Sequence, residues 1–283
     1  MHAFADLYPF VQLAYFAFAA GICMFSRNPV IAAVAFCASI ASRIAKRRGG
    51  AALSAAIVAA SSVVNAIFSH NGKTVLLFIN DTPITLEALL YGAVSGAVIA
   101  AVLNLSRSFA EIMTSDRLLF LFGRLSPKTA LVLSMALRYT PLFIRRAREV
   151  RRTQSVIGGY GDKSPQDKIR GSLRVFSIML TWALENGVIT ADSMAARGWG
   201  VSARRTYFSP FRPRRADGAV LVPMLIFSAL VVIPAALGAL DFDFYPSLSA
   251  LPHSHAAVAA YAAYAALLLI PLAADAAASY KKR

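Results

Sequence analysis

The chain has 283 residues, of which 58% are hydrophobic and only 15% charged. Soluble domains carry nearer a quarter charged residues, so the composition excludes an ordinary water-soluble domain and indicates a membrane protein. The net charge of +15 does not point to nucleic acid, because the basic residues fall between apolar runs. Such charges set topology and meet anionic lipid.

Six runs reach the roughly 17–25 residues that a bilayer-spanning helix needs. They cover residues 8–25, 29–45, 51–68, 84–105, 220–240 and 256–278. The first has no basic leader and no convincing cleavage site, so it reads as a mature helix and not a signal peptide. Cys23 and Cys37 lie inside apolar runs and read as small hydrophobes, with no zinc spacing or disulfide framework. Gly92 and Gly96 stand four apart in the fourth run, a spacing that lets membrane helices approach closely.

Loop charge gives the orientation. Arg43, Lys46, Arg47 and Arg48 end the second run, and Arg107 follows the fourth. Arg212, Arg214 and Arg215 precede the fifth, and Lys281, Lys282 and Arg283 follow the last. The opposite loops are poor in cations: 69–83 holds one lysine, and 241–255 holds Asp241 and Asp243 with no Lys or Arg. The positive-inside rule then places both termini in the cytoplasm with six spans in the cell (cytoplasmic) membrane.

The middle of the chain departs from this pattern. Its apolar runs are short and interrupted, and it holds most of the charge. Over 138–152, Tyr139, Leu142, Phe143, Ala147 and Val150 return at helical spacing while Arg145, Arg146, Arg148, Arg151 and Arg152 fill the other face. That is a basic amphipathic helix, in which Pro141 is expected to introduce a kink. The run 175–189 contains Glu185 and Asn186, which are costly at membrane depth. One extra span would also move the C-terminal cations to the wrong side. Residues 115–198 therefore read as a cytoplasmic or interfacial helical module, a short helix followed by two long ones; partial insertion stays open as the alternative.

Sites for chemistry are sparse. Asn71-Gly72-Lys73-Thr74 resembles the end of a phosphate-binding loop, but Ile67 stands where that loop needs glycine. His253 and His255 lack a third ligand nearby in sequence. Glu87 and Asp275 lie at the edges of spans, where solvation accounts for them. No nucleophile elbow, cofactor motif or metal set is legible; if the chain takes part in transport, its energy must come from a partner. One feature stands out. Ala196-Arg197-Gly198 closes an apolar helical run and Trp199 follows. A cation suits the carbonyl end of a helix, and glycine supplies the left-handed residue that stops it. Such a tip fits docking into a partner's groove, or it is an ordinary helix end carrying a topology-setting charge.

Several ordered motifs carry a resemblance. They are Ile84-Thr85-Leu86-Glu87-Ala88-Leu89 with Gly92, Thr114-Ser115-Asp116, Leu137-Arg138-Tyr139-Thr140-Pro141, the run from Ala147 to Gln154, Ala191 to Gly198, and Arg204-Arg205-Thr206. Together they resemble the transmembrane T component of energy-coupling-factor (ECF) transporters, the EcfT/CbiQ family, over roughly residues 84–215. The resemblance implies an all-α polytopic membrane protein: about six transmembrane helices plus a cytoplasmic or interfacial module of long coupling helices. In segments, these are membrane helices over 1–108, the coupling module over 109–216, and membrane helices over 217–283.

It further implies a non-catalytic subunit. Two ABC ATPase subunits would dock on two Ala-Arg-Gly helix tips, and a substrate-binding membrane S component for a vitamin or metal ion would ride on the same helices. Ala196, Arg197 and Gly198 match one tip. At the other, Gln154-Ser155-Val156-Ile157-Gly158 departs from the motif, with Ile157 in place of arginine. There Arg151 or Arg152 supplies the cation one turn earlier, or the partner offers an apolar groove; Gln154 and Gly158 complete the weaker candidates. The competing functions are a conventional ABC importer permease and a membrane-embedded enzyme.

Overall fold

A computed structural model describes residues 3–45, 49–69, 72–79, 82–158, 164–201, 211–245 and 249–280. Lys46, Arg47, Arg48, His70, Asn71, Gly159, Gly161, Arg204, Arg205, Lys281, Lys282 and Arg283 lie outside the described residues. A short 3-10 turn, Ala3–Asp6, precedes α1 (Pro9–Phe25), α2 (Pro29–Ala45) and α3 (Ala51–Phe68). Strands β1 (Val75–Ile79) and β2 (Thr82–Thr85) follow, then α4 (Leu86–Ile112). The remainder is α5 (Ser115–Leu125), α6 (Pro127–Val156), α7 (Pro165–Ala196), α8 (Arg215–Ala236) and α9 (His255–Tyr280).

Packing divides the chain into two units, Met1–Leu118 with Phe211–Arg283, and Leu119–Pro210. The first unit joins the two ends of the sequence, so α1–α4 pack with α8 and α9. Their polar contacts show that the six helices alternate in direction. At one end, the Tyr8 amide donates to Asp217 (2.8 Å) and the Phe4 amide to Asp275 (3.1 Å). Arg117 reaches the Ile112 carbonyl (2.7 Å) and Gln12 (3.0 Å) at that same end. At the other end, Asn28 donates to the Leu240 carbonyl (3.2 Å) and the Tyr261 hydroxyl (2.7 Å). Asn65 there donates to the Ala88 carbonyl (2.6 Å), and Tyr91 meets Phe244 edge-on at 5.3 Å.

Among the described residues, four helices are long and apolar enough to cross a membrane: α3, α4, α8 and the Ala-rich α9 over His255–Asp275. Two more, Pro9–Phe25 and Pro29–Ile44, are apolar but shorter. The exposed faces decide the solvent. The α8 window has a mean hydropathy of 2.5 yet is only 17% buried, and Leu225, Ile226, Leu230 and Ile233 all point outward. A contiguous apolar surface of that kind belongs against lipid, not water. The chain is an α-helical membrane protein.

Close approach explains the α3–α4 pair. A Cβ on Gly92 would sit 2.8 Å from the Ser61 carbonyl and the Ser62 Cα, and one on Gly96 would sit 2.8 Å from the Val58 Cα. The small-residue spacing read in the sequence is thus a contact face between backbones. Ser62 donates across it to the Leu89 carbonyl (2.9 Å). Deeper in, Asn104 donates to Ser54 (3.0 Å), satisfying an amide that is 2% exposed.

Two expectations need correction. Residues 69–83 are not simply loop: β1 and β2 form an antiparallel hairpin, Phe78 opposite Pro83 and Ile79 opposite Thr82. Glu87 is not solvated. It is 2% exposed and accepts from the Thr74 amide (3.1 Å) and hydroxyl (2.6 Å), which ties the hairpin to the start of α4. Asp275 is half-buried and also accepts from the Phe4 amide. Helix α6 continues through Pro141.

Candidate partner-docking site

The second unit contains α6 and α7, two helices of 30 and 32 residues. At 1.5 Å per residue each is roughly 45–48 Å long. Both start at proline, which suits the first helical turn because its missing amide has no partner there anyway. The Ser164 hydroxyl caps α7 by accepting from the Asp167 amide (3.3 Å).

The helices cross where aromatic residues meet. Tyr139 and Thr190 share a hydroxyl hydrogen bond of 2.7 Å. Phe143 packs edge-on to Trp182 at 5.5 Å and stacks with Tyr139 at 5.9 Å. The Arg146 guanidinium lies over the Trp182 ring at 5.9 Å and pairs with Glu149 at 3.0 Å. Moving forward along α6, from Tyr139 to Phe143, moves backward along α7, from Thr190 to Trp182. The pair is therefore antiparallel, and the two C-terminal tips point away from the crossing in opposite senses.

The α7 tip is a complete Schellman motif. Gly198 has φ of 78°; its amide donates to the Ala195 carbonyl (2.9 Å), and the Trp199 amide donates to the Met194 carbonyl (3.0 Å). Arg197 is the last residue before the reversal. Ala196, Arg197 and Gly198 are all exposed, and a Cβ on Gly198 would meet nothing within 4 Å. Glycine is needed there for its conformation alone.

The α6 tip repeats this backbone with different chemistry. Ile157 caps the helix, and Gly158 has φ of 75°. The Gly158 amide donates to Ser155 (3.4 Å) just as Gly198 does to Ala195. Ser155, Val156, Ile157 and Gly158 thus match Ala195, Ala196, Arg197 and Gly198 position for position. Val156 is 87% and Ile157 72% exposed, so this tip presents apolar surface where the other presents a cation.

Arg151 and Arg152 are exposed, but unbroken helix separates them from Ile157. At about 100° per residue they lie roughly 120–140° around the axis from it and about 8–9 Å back along it. Neither lies on the face that Ile157 presents. Gln154 is half-buried on the side nearer Ile157.

Two further surfaces frame the tips. A groove of about 340 Å3 is lined by Leu131, Met135 and Tyr139 of α6, by Met194 and Ala195 of α7, and by Trp199. Ala195 and Trp199 bring its lining to either side of Arg197 in the sequence. Along α7, Ile169, Leu173, Phe176, Leu180 and Leu184 are all exposed and recur every three or four residues, which makes one apolar stripe. Sequence reading placed the Arg-Gly tip but missed this stripe, because Gly171, Thr181 and Glu185 interrupt the run. Among the described residues no His, Cys, Asp or Glu cluster could hold a metal ion.

No protein-family model matches the chain, and no curated protein matches it either.

Proposed function

We propose that this chain is the non-catalytic transmembrane coupling subunit of an ECF-type ABC importer. One observation carries the reading: two long antiparallel helices end in matched glycine-reversed tips, one capped by Arg197 and one by Ile157. Each tip docks one ATPase subunit. The unlike tips suit two non-identical ATPase grooves, one offering carboxylates or carbonyls to a planar guanidinium and one offering an apolar wall. A permease with a single coupling helix would need only one such tip.

The exposed α7 stripe takes the membrane S component, which selects the vitamin or metal ion. The six helices of the first unit span the cytoplasmic membrane, with both termini inside. On α6 the exposed Arg145, Arg148 and Arg152 lie against anionic headgroups, each adding about 1 kcal/mol of surface attraction. ATP-driven closure of the ATPase pair then moves the tips, and the crossing transmits the motion to the S component.

The test is co-purification. Arg197→Glu inserts normally but loses the ATPase subunits and uptake, because a carboxylate at this helix end opposes both the helix dipole and an acidic groove. Recovery of both ATPases at wild-type yield would remove Arg197 from the mechanism.

A further inference from the structure

A lined groove between α1 and α8 is unused by this reading. Ala17, Phe18, Gly21, Ile22 and Phe25 form one wall, and Val231, Val232, Ala235 and Ala236 form the other. Its volume is about 440 Å3, within the range of about 300–1,000 Å3 for small-molecule sites. Gly21 has no structural reason to be glycine. It lies inside a helix, shows no positive φ, and a Cβ there would meet nothing within 4 Å. Helix-interior glycine is unfavourable, and here its missing side chain keeps the groove open.

At one end the groove continues into a polar mouth. This second cavity, about 240 Å3, shares Phe25, Ser26 and Ala235 with the first and adds Arg27, Asp241 and Asp243. Arg27, Asp241 and Asp243 are exposed, and none forms an ion pair among the described residues. A channel apolar along the helices, with charges of both signs at the helix ends, matches one kind of molecule found in a bilayer. We infer that it is a binding site for a zwitterionic aminophospholipid such as phosphatidylethanolamine. An acyl chain fills the groove past Gly21, Arg27 takes the phosphate, and Asp241 and Asp243 take the ammonium. An anionic lipid would satisfy Arg27 but bring no cation to the two carboxylates. The inference requires only that the helices sit in lipid; it does not depend on ATPase docking.

Native mass spectrometry of the purified full chain tests it, with dioleoyl phosphatidylethanolamine and dioleoyl phosphatidylglycerol titrated separately. The wild type retains one phosphatidylethanolamine and prefers it by about tenfold, the scale of one well-formed charge contact. Asp241→Asn with Asp243→Asn, both on exposed loop positions, abolishes the preference. Gly21→Leu, whose side chain enters open space, lowers retention of either lipid about tenfold or more without changing the elution profile. Equal binding of both lipids by the wild type overturns the inference, as does unchanged retention by Gly21→Leu. A stoichiometric membrane protein that departs with Gly21→Leu, with no lipid bound to the wild type, would assign the groove to a partner helix and also overturn it.

Discussion

Replacing Gly92 and Gly21 by alanine makes the same chemical change in two membrane helices, with opposite consequences. At Gly92 the new methyl would lie 2.8 Å from three atoms of α3, among them the Ser61 carbonyl and the Ser62 Cα. Ordinary contact begins near 3.4 Å, so the α3 and α4 backbones must part by roughly 0.6 Å. Overpacking of this kind costs about 1–3 kcal/mol. The Asn65 and Ser62 bonds to the Ala88 and Leu89 carbonyls span the same seam. Weakening them adds about 0.6 kcal/mol each. Alanine also returns about 0.5–1 kcal/mol of helix propensity at either site, and that gain is all that Gly21→Ala meets, since its methyl enters open space. The difference between the two variants cancels propensity and leaves packing: Gly92→Ala should be less stable than Gly21→Ala by about 2–4 kcal/mol. Both tryptophans, Trp182 and Trp199, lie in the second unit, so tryptophan fluorescence is blind to this change. Ellipticity during a dodecyl-sulfate titration in mixed micelles reads it instead. Equal midpoints for the two variants would refute the close-contact account of Gly92.

Two further outcomes follow from the second unit. Gly198→Val forces a β-branched residue into φ of 78°, which costs about 1–2 kcal/mol; hydrogen exchange of the last α7 turn should rise while the α6–α7 crossing stays protected. A double-mutant cycle of Tyr139→Phe and Thr190→Val should give a coupling of about 0.5–1.5 kcal/mol for the 2.7 Å hydroxyl bond. Additive effects in thermal unfolding would mean that this bond does not hold the crossing.

Helix positions were legible wherever burial in lipid, and not in protein, fixes the residue type. The expected runs 29–45 and 51–68 coincide with α2 and α3 because apolarity begins and ends with the helix. Helix α4 instead continues to Ile112, beyond the expected end at 105, since Arg107 and Glu111 break the hydropathy but not the helix. Helix α8 starts at Arg215, five residues early: Asp217 accepts the Arg214 amide (2.6 Å) and caps it. Asp217, Asp275 and Glu87 share a reason for being misread or passed over. Each serves a backbone amide distant in sequence, Tyr8, Phe4 or Thr74, and hydropathy records only that a charge is present. The hairpin was hidden because Val75–Ile79 is too short for a span and lay in a stretch read as loop. At the candidate site, the glycine reversal at Gly198 follows from Arg-Gly at a helix end, whereas Ile157 is set in the arginine's place by the resemblance, and the positive φ of Gly158 and Gly198 adds that the two tips share a backbone.

The most direct measurement places a photo-crosslinking amino acid at position 157 or position 197 in cells that also express the candidate ATPase subunits. Each position should yield a crosslink to an ATPase subunit, with different subunits or grooves captured by the two tips and the yield changing with ATP. Crosslinks from both tips to lipid or to this chain alone, with the ATPases present and active, would contradict the coupling-subunit account.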